Sequence, residues 1–290
     1  MRETPKKLPT ADGFQLSVTH FTPETHGRGV VLMLGATAVR QRFYRRFAEL
    51  LVNEGLEVVT VDYRGVGESR PASLKGFDCT YRHWFDFDAP AAFEFAKSRG
   101  PVVVVGHSLG GHAFGQLPAP NEALGLAAVA SGAAWSGYMT PLERLKVATM
   151  WNVLGPVAVS LTGYVPGKVW GGEDLPVGVF NDWKRWSQLP KYFFDDPTLD
   201  MKSVFARVTV PVLGLTARDD PWAPPKSIET FLSHYSRAPL TLETIEPREW
   251  GVKSIGHMGP FQRAGLPKLF PRLLRFINER LADHDRSRAA

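Results

Sequence analysis

The stretch Val102-Val103-Val104-Val105-Gly106-His107-Ser108-Leu109-Gly110-Gly111 decides the fold of this chain. Four consecutive valines are typical of a central strand that is buried on both faces. The Gly-x-Ser-x-Gly pattern that follows is typical of a sharp strand-to-helix turn that exposes a serine hydroxyl. Small residues are expected at Gly106 and Gly110 because the neighbouring chain leaves no room for side chains there. The stretch therefore marks Ser108 as a candidate nucleophile, the alternative being a tight glycine turn without chemistry.

A serine hydroxyl is a weak nucleophile, so a base must lie within hydrogen-bond reach of it. Among the eight histidines, His257 stands in a glycine-flanked loop after the last predicted strand. This place agrees with a chain order of serine, acid and then histidine. His107 and His112 flank the turn, and the geometry of the turn predicts that their side chains point elsewhere. We therefore predict His257 as the base.

The base needs a carboxylate to orient it, and two aspartates follow the predicted strand Val210–Leu215. One of them should accept a hydrogen bond from the imidazole. We predict Asp220, because its distance to Pro224 matches the usual spacing of such an acid loop. Asp219 stays open as the alternative, and the aspartate that does not hold the imidazole is expected to bind loop amides.

Two backbone amides are expected to stabilise an oxyanion near Ser108. The Leu109 amide begins a helix, where an unpaired N–H and the helix dipole favour negative charge. The second donor is expected in the loop after the third strand, Leu34-Gly35-Ala36-Thr37. There Gly35 would let the chain turn, and the Ala36 amide would face the oxyanion.

Strands and helices alternate along most of the chain, which predicts an α/β protein with a mostly parallel sheet and helices on both faces. The predicted strands are Gln15–Phe21, Gly29–Leu34, Glu57–Val61, Val102–Val105, Leu124–Ala130, Val210–Leu215 and Leu240–Ile245. The predicted helices are 43–54, Ala89–Ser98, 226–235 and 268–281, with a frayed tail over 282–290.

Residues 131–206 interrupt this alternation. They are rich in Trp, Gly and Pro, contain five of the eight tryptophans and have no clear strand. A loop of this length is rare inside a compact domain. We therefore predict a helical cap at 131–206, inserted into a core made of residues 1–130 and 207–290.

Composition excludes several classes of protein. The chain has 290 residues, of which 44% are hydrophobic and 22% charged, as in ordinary globular proteins. The net charge is +5, but the lysines and arginines are dispersed among 29 acidic residues and form no basic block. No nucleic-acid partner is therefore expected. Cys79 is the only cysteine, which excludes an internal disulfide. No apolar run follows the first residues, so a cytoplasmic location is predicted.

The segment Val147–Gly167 carries no charge and is long enough to cross a bilayer. It also contains Asn152, Pro156 and Pro166, which weaken a spanning helix. We predict no stable membrane insertion. A buried or partly exposed helical pair that covers a site is expected instead.

The turn at Ser108, the Asp62–Ser69 loop, the Asp219-Asp220 loop and the Gly256-His257 loop together resemble the α/β-hydrolase superfamily, over roughly residues 9 to 281. Several shorter stretches are similar to a bacterial group of hydrolases near the serine aminopeptidase-like, or monoacylglycerol lipase-like, branch. These stretches are Gly35-Ala36-Thr37, 41–46, 172–176, 192–196 and 256–259. The resemblance implies an eight-stranded sheet, a cap after the sixth strand, and acyl transfer without a metal or organic cofactor.

From these features we predict a serine hydrolase that cleaves a small-molecule ester with an apolar acyl group. Serine at position 108 argues against dehalogenases and epoxide hydrolases, which need an aspartate there. Two alternatives remain open: an acyltransferase with the same three residues, and a binding protein of the same fold without catalysis. The natural substrate and the oligomeric state stay open as well.

Overall fold

A computed structural model describes residues 1–25 and 27–289, and an eight-stranded sheet runs through it. The strand order is β1-β2-β4-β3-β5-β6-β7-β8, with β1 and β2 antiparallel to their neighbours and all other pairs parallel. The strands are β1 (Arg2–Pro9), β2 (Gln15–Thr22), β3 (Val30–Leu34), β4 (Glu57–Asp62), β5 (Val102–His107), β6 (Leu126–Val129), β7 (Val212–Ala217) and β8 (Leu240–Ile245). The predicted α/β class with a mostly parallel sheet is therefore confirmed.

The helices connect the strands and cover both faces of the sheet. They are α1 (Arg45–Asn53), α2 (Tyr81–His83), α3 (Ala89–Lys97), α4 (Leu109–Gly115), α5 (Pro141–Thr149), α6 (Gly155–Thr162), α7 (Val177–Trp186), α8 (Met201–Ala206), α9 (Pro225–Leu232) and α10 (Leu266–Ala289). Two π-helical turns, Trp84–Asp88 and Met150–Leu154, join α2 to α3 and α5 to α6.

The four valines of β5 show why this strand is buried on both sides. Val102 and Val104 belong to one hydrophobic core, which also contains residues of α3, α4 and α9. Val103 and Val105 belong to the other core, under α1 and α10. Alternate residues of a strand point to opposite faces, so a continuous apolar run is what two covered faces require.

Strands β3 and β5 are neighbours in the sheet, although β4 lies between them in the chain. At such a reversal of strand order, the loops at the carboxyl ends separate and leave a crevice. Leu34 pairs with Gly106, so the loop after β3 lies directly beside the turn at Ser108. The topology thus provides a place for a site at this end of the sheet.

Two predictions of local structure are wrong. Strand β1 was not predicted, because its sequence is charged, contains two prolines and is mostly exposed along an edge where only backbone pairing holds it. The prediction of a frayed tail is also wrong for residues 282–289. There α10 continues to Ala289, and Asp283 forms ion pairs with Arg280 and Arg286. Residue Ala290 of that prediction lies outside the described residues.

Helices α5 to α8 all lie in the segment between β6 and β7, in the part predicted as an insertion. We call residues 131–206 the inserted segment. The expected helical pair is one continuous helix, in which a π-helical turn joins α5 to α6. Its outer face is apolar and exposed at Leu142, Leu145, Val153, Leu154, Val157 and Leu161. Among the described helices, none has both the length and the apolar character needed to cross a membrane.

Candidate active site

Ser108 stands on a sharp turn between β5 and α4, with φ 53° and ψ −110°. Residues other than glycine rarely adopt a backbone conformation with positive φ. A methyl group on Gly106 would lie 2.5 Å from the backbone of Gly110, and one on Gly110 would lie 2.0 Å from the Leu34 carbonyl oxygen. No real Cβ atom tolerates such contacts, so only glycine fits at these two positions. The steric reason predicted for both glycines is confirmed.

Backbone strain in the described chain is concentrated around one cavity of about 180 Å³. The non-glycine residues with positive φ are Ala38, Ser108, Ala130 and Tyr192. Three of them line the cavity, and Ala38 lies between the lining residues Thr37 and Val39. Strained backbone persists only where the surrounding structure enforces it, and it is often found at functional sites. The cavity is therefore the candidate site on conformational grounds alone.

The His257 imidazole is held by Asp220. Its Nδ1 atom lies 2.9 Å from Asp220 Oδ2 and 3.1 Å from Oδ1. The carboxylate is buried and also accepts hydrogen bonds from the amides of Trp222 (2.8 Å) and Ala223 (2.9 Å). Burial alone would raise the pKa of Asp220, but the His257 ring and these hydrogen bonds outweigh it and hold the pKa below its usual value. Asp220 is thus an ionised acceptor that fixes the ring.

The neighbouring aspartate has a different role. Asp219 accepts hydrogen bonds from the Ser254 hydroxyl (2.5 Å) and from the amides of Ile255 (2.9 Å) and Gly256 (3.3 Å). It therefore binds the loop that carries His257 rather than the imidazole itself. Of the two candidates left open by the sequence, Asp220 is the one in contact with the ring.

Ser108 and His257 line the same cavity, so the turn after β5 and the loop after β8 are brought together. Within the described residues, no hydrogen bond joins the Ser108 hydroxyl to the imidazole. Catalytic hydrogen bonds are often long in enzymes without substrate and shorten when the substrate binds. The catalytic roles of Ser108, Asp220 and His257 stay predictions.

The Ala36 amide is already engaged. It donates a hydrogen bond to the Tyr44 hydroxyl at 2.9 Å, and so the prediction that it is free to receive an oxyanion is wrong for this structure. The next residue, Thr37, also lines the cavity, and no hydrogen bond among the described residues engages its amide. Leu109 opens α4, so its amide has no partner within the helix. The amides of Thr37 and Leu109, which follow β3 and β5, therefore have no hydrogen-bond partner among the described residues.

A buried chain of hydrogen bonds connects the loops around Ser108. Tyr44 Oη lies 2.8 Å from His107 Nδ1, and His107 Nε2 lies 3.1 Å from the carbonyl oxygen of His257. A carbonyl only accepts, so His107 donates from Nε2 and accepts the Tyr44 proton at Nδ1. Burial lowers the pKa of His107 to about 3, in keeping with a neutral ring. The loop after β3 is thus linked, through the end of β5, to the loop that carries His257.

The side chains of His107 and His112 are both predicted to point away from the site. The prediction is right for His107 and wrong for His112. The His107 side chain is fully buried in the chain of hydrogen bonds just described. His112 lines the cavity beside Ser108. It stands four residues after Ser108, the residue that precedes α4, and so about one helical turn further along. That spacing was the signal in the sequence which could have identified His112.

Aromatic side chains form much of the remaining wall of the cavity. Trp170, Trp183 and Tyr192 come from the inserted segment, and Trp222 comes from the Asp220 loop. Trp183 packs against Trp222 at 5.2 Å and against Trp170 at 5.5 Å between ring centroids. Among the residues that line the cavity there is no acidic side chain. The cavity is therefore suited to an uncharged or weakly polar group.

Comparison with known proteins places this arrangement in a family. Residues 26–265 match the model of the family described as "Alpha/beta hydrolase family". No curated protein matches the chain.

The chain is also similar to many solved structures. Est1E from Butyrivibrio proteoclasticus is 17% identical, with 96% of this chain and 99% of that chain covered and a TM-score of 0.60. A soluble variant of monoglyceride lipase from Saccharomyces cerevisiae, in complex with a substrate analogue, is 17% identical, with 96% of each chain covered and a TM-score of 0.67. An esterase from Pyrococcus furiosus is 16% identical, with 97% and 91% covered and a TM-score of 0.61.

At such low identity these likenesses show the fold alone, and they agree with the fold implied by the resemblance to the monoacylglycerol lipase-like branch. The family match covers most of the chain, including the turn at Ser108 and the His257 loop. The chain belongs to the α/β hydrolase family.

Proposed function

We propose that this protein is a serine hydrolase that cleaves a small carboxylic ester through an acyl-enzyme. The observation that supports the proposal most is the convergence of two groups on one cavity. Ser108 reaches it from a strained turn, and His257 reaches it while held by the buried Asp220. This arrangement matches what acyl transfer by a serine requires.

In the proposed first step, Ser108 Oγ attacks the carbonyl carbon of the ester while its proton passes to His257 Nε2. The carbonyl π electrons move to the oxygen, and Asp220 stabilises the imidazolium that forms. Collapse of the tetrahedral intermediate breaks the bond to the alcohol, which leaves with the proton from the imidazolium. Water then attacks the acyl-enzyme by the same route and releases the acid.

The oxyanion is proposed to lie between the Leu109 amide and the Thr37 amide. Leu109 also offers the positive end of the α4 dipole. Thr37 replaces Ala36 in this role, since the Ala36 amide already donates to Tyr44. Two donors of this kind stabilise the charge only once it has moved onto the oxygen.

The inserted segment is proposed to act as a cap, with residues 131–206 as its bounds. Its aromatic residues Trp170, Trp183 and Tyr192 form one wall of the cavity. A volume of about 180 Å³ is small beside the pockets of roughly 300–1,000 Å³ that enclose drug-sized ligands. A short, mainly apolar acyl group suits these dimensions. The similar structures include esterases and a lipase, and one structure of Est1E holds ferulic acid, which favours an ester substrate.

Two measurements test the proposal. A fluorophosphonate probe should label the wild type but not Ser108→Ala. The control Ser98→Ala, which changes an exposed serine at the C-terminal end of α3, should still be labelled. A series of p-nitrophenyl esters from acetate to dodecanoate should be hydrolysed, with the short chains fastest. Folded wild-type protein that neither labels nor hydrolyses any ester would contradict the proposal and favour a binding protein of the same fold. Transfer of the acyl group to an added alcohol in preference to water, at alcohol concentrations far below that of water, would instead favour an acyltransferase.

A cytoplasmic location, the absence of a nucleic-acid partner and action without a metal or organic cofactor remain predictions from the sequence.

A further inference from the structure

His112 is a polar side chain in the cavity that the proposed ester cleavage does not use. It lies on α4, four residues after Ser108, and is only 4% exposed. Both residues line the same cavity, together with Gly132 and Tyr192. The proposed ester cleavage therefore does not explain why a buried imidazole lines the cavity of the candidate nucleophile.

The hydrogen bonds of His112 define which of its nitrogens carries the proton. Nε2 lies 3.0 Å from the Gly132 carbonyl oxygen, which can only accept, so Nε2 carries the hydrogen. Nδ1 is therefore a lone-pair acceptor. It is buried and has no hydrogen-bond partner among the described residues. Buried acceptors of this kind are rare, and each calls for a partner.

The side chains around the ring do not supply that partner. His112 packs against Phe231 (4.2 Å between ring centroids), Tyr192 (5.3 Å) and Phe193 (5.7 Å). Tyr192 is held in this place by a strained backbone, with φ 57°. The structure thus keeps an unpaired acceptor, on a residue that lines the cavity, within an otherwise aromatic environment.

We propose that the cavity binds a short acyl group that carries a hydroxyl, and that this hydroxyl donates a hydrogen bond to His112 Nδ1. The inference rests on the proposed function. The acyl group is the part of the ester that becomes bonded to Ser108 in the acyl-enzyme, four residues before His112 in the chain. The donor is neutral rather than an ammonium group, because the cavity wall has no acidic side chain to pair with a cation.

His112 is suited to this role at any ordinary pH. Burial lowers its pKa to about 3, so the ring is neutral in neutral solution and its Nδ1 lone pair is available. A hydrogen bond made by a buried acceptor discriminates strongly against a substrate without the donor, because that substrate leaves the acceptor unpaired.

The test compares three p-nitrophenyl esters that share the same chain length: butyrate, 2-hydroxybutyrate and 3-hydroxybutyrate. We expect the wild type to hydrolyse one of the hydroxy esters with a kcat/KM about tenfold or more above that of butyrate. His112→Gln keeps an amide N–H for the Gly132 carbonyl, and His112→Phe removes both polar atoms; both should abolish the preference. Each ratio is measured within one protein and so does not depend on the fraction that folds.

His234→Gln is the matched control, since His234 bonds the Thr230 carbonyl outside the cavity, and it should keep the wild-type ratio. Wild type that hydrolyses butyrate as well as both hydroxy esters would overturn the inference and leave the proposed function intact. An unchanged preference in His112→Gln and His112→Phe would overturn it too. If none of the three esters is hydrolysed, the proposed function fails and the inference fails with it.

Discussion

The sheet core and the inserted segment both line the cavity, but they contribute different chemistry to it. Ser108, Asp220 and His257 all stand on loops that follow strands of the core. The inserted segment contributes Trp170, Trp183 and Tyr192, and its sequence contains no histidine or cysteine. Groups that must meet within a fraction of an ångström are best placed on rigid strand ends. The wall tolerates more variation, since it only needs shape and apolar surface.

The two regions also differ in how many large apolar side chains they leave exposed to solvent. In the described chain, eight large hydrophobic side chains are exposed, and six of them lie on the α5–α6 helix of the inserted segment. The strands of the core bury nearly all of theirs in two layers. Stability should therefore be concentrated in the core, and the outer face of the inserted segment should contribute little.

The two adjacent aspartates give the sharpest test that the chemistry belongs to the core loops. Asp220→Asn should lower kcat by about 10⁴-fold, because an amide no longer holds the imidazole in the right tautomer. Asp219→Asn should lower it by about tenfold or less, because it only loosens the loop at Ser254 and Ile255. Steady-state hydrolysis of a short p-nitrophenyl ester measures both. Equal losses in the two variants would show that Asp220 has no special role.

Paired leucine truncations test where stability is concentrated. Leu32→Ala, in β3, should lower the free energy of unfolding by about 2–5 kcal/mol, because its side chain is fully buried. Leu161→Ala, on the outer face of α6 and 79% exposed, should change it by less than about 0.5 kcal/mol. Urea denaturation measures both. A large loss at Leu161 would mean that its exposed face is covered in solution.

Tyr44→Phe tests the buried chain of hydrogen bonds within the core. It leaves the Ala36 amide and His107 Nδ1 without their partner, which should cost about 1–3 kcal/mol of stability. We expect kcat to fall by about tenfold with little change in KM, since the chain positions loops rather than substrate. Tyr138→Phe, whose hydroxyl bonds Thr230 outside the cavity, is the control. An unchanged or higher kcat in Tyr44→Phe would contradict a positioning role.

The pH dependence of stability should also come from the core. The pKa of His107 is lowered by burial to about 3, so between pH 3 and 6.5 the unfolded chain binds a proton that the folded protein does not. Its contribution is complete above pH 6.5 and is lost as the pH falls through this window, by about 1.4 kcal/mol per unit.

His107→Gln should flatten the plot of unfolding free energy against pH by that amount between about pH 4 and 6. Urea denaturation over this range measures the slope. Leu161→Ala, which changes an exposed side chain that does not titrate, should keep the wild-type slope. Identical slopes in wild type and His107→Gln would show that His107 is not held neutral by the fold.

Local patterns were enough to predict the centre of the sheet and the turn at Ser108. Four valines and two glycines leave few alternatives, because burial on both faces and the contacts around Gly106 and Gly110 are local consequences of the strand and its turn. The choice of Asp220 over Asp219 agrees with the contact to His257. Strand β1 could not be predicted, since its pairing depends on backbone atoms and not on an apolar pattern.

The finer geometry of the site depends on contacts that no local pattern contains. The Ala36 amide is engaged by Tyr44, which reaches back over eight residues, and Tyr44 is fixed in turn by His107. The ring of His112, in the cavity wall, packs against Tyr192 and Phe231, which come from distant parts of the chain. The sequence predicts Ser108, Asp220 and His257, whose roles stay predictions, but not the partners that decide which nearby amides and ring nitrogens are free.

The position of the inserted segment between β6 and β7 has a consequence for how such a protein can diversify. The chain leaves the core after β6 and returns at β7, and these two strands are direct neighbours, with Val129 opposite Leu215. Because β6 and β7 are parallel, the connection leaves at the carboxyl end of the sheet and returns to its amino end, and any segment that spans this distance can be exchanged without disturbing the ladder. A lineage could exchange this segment for another, and with it one wall of the cavity, while the loops at the carboxyl end of the sheet are inherited unchanged.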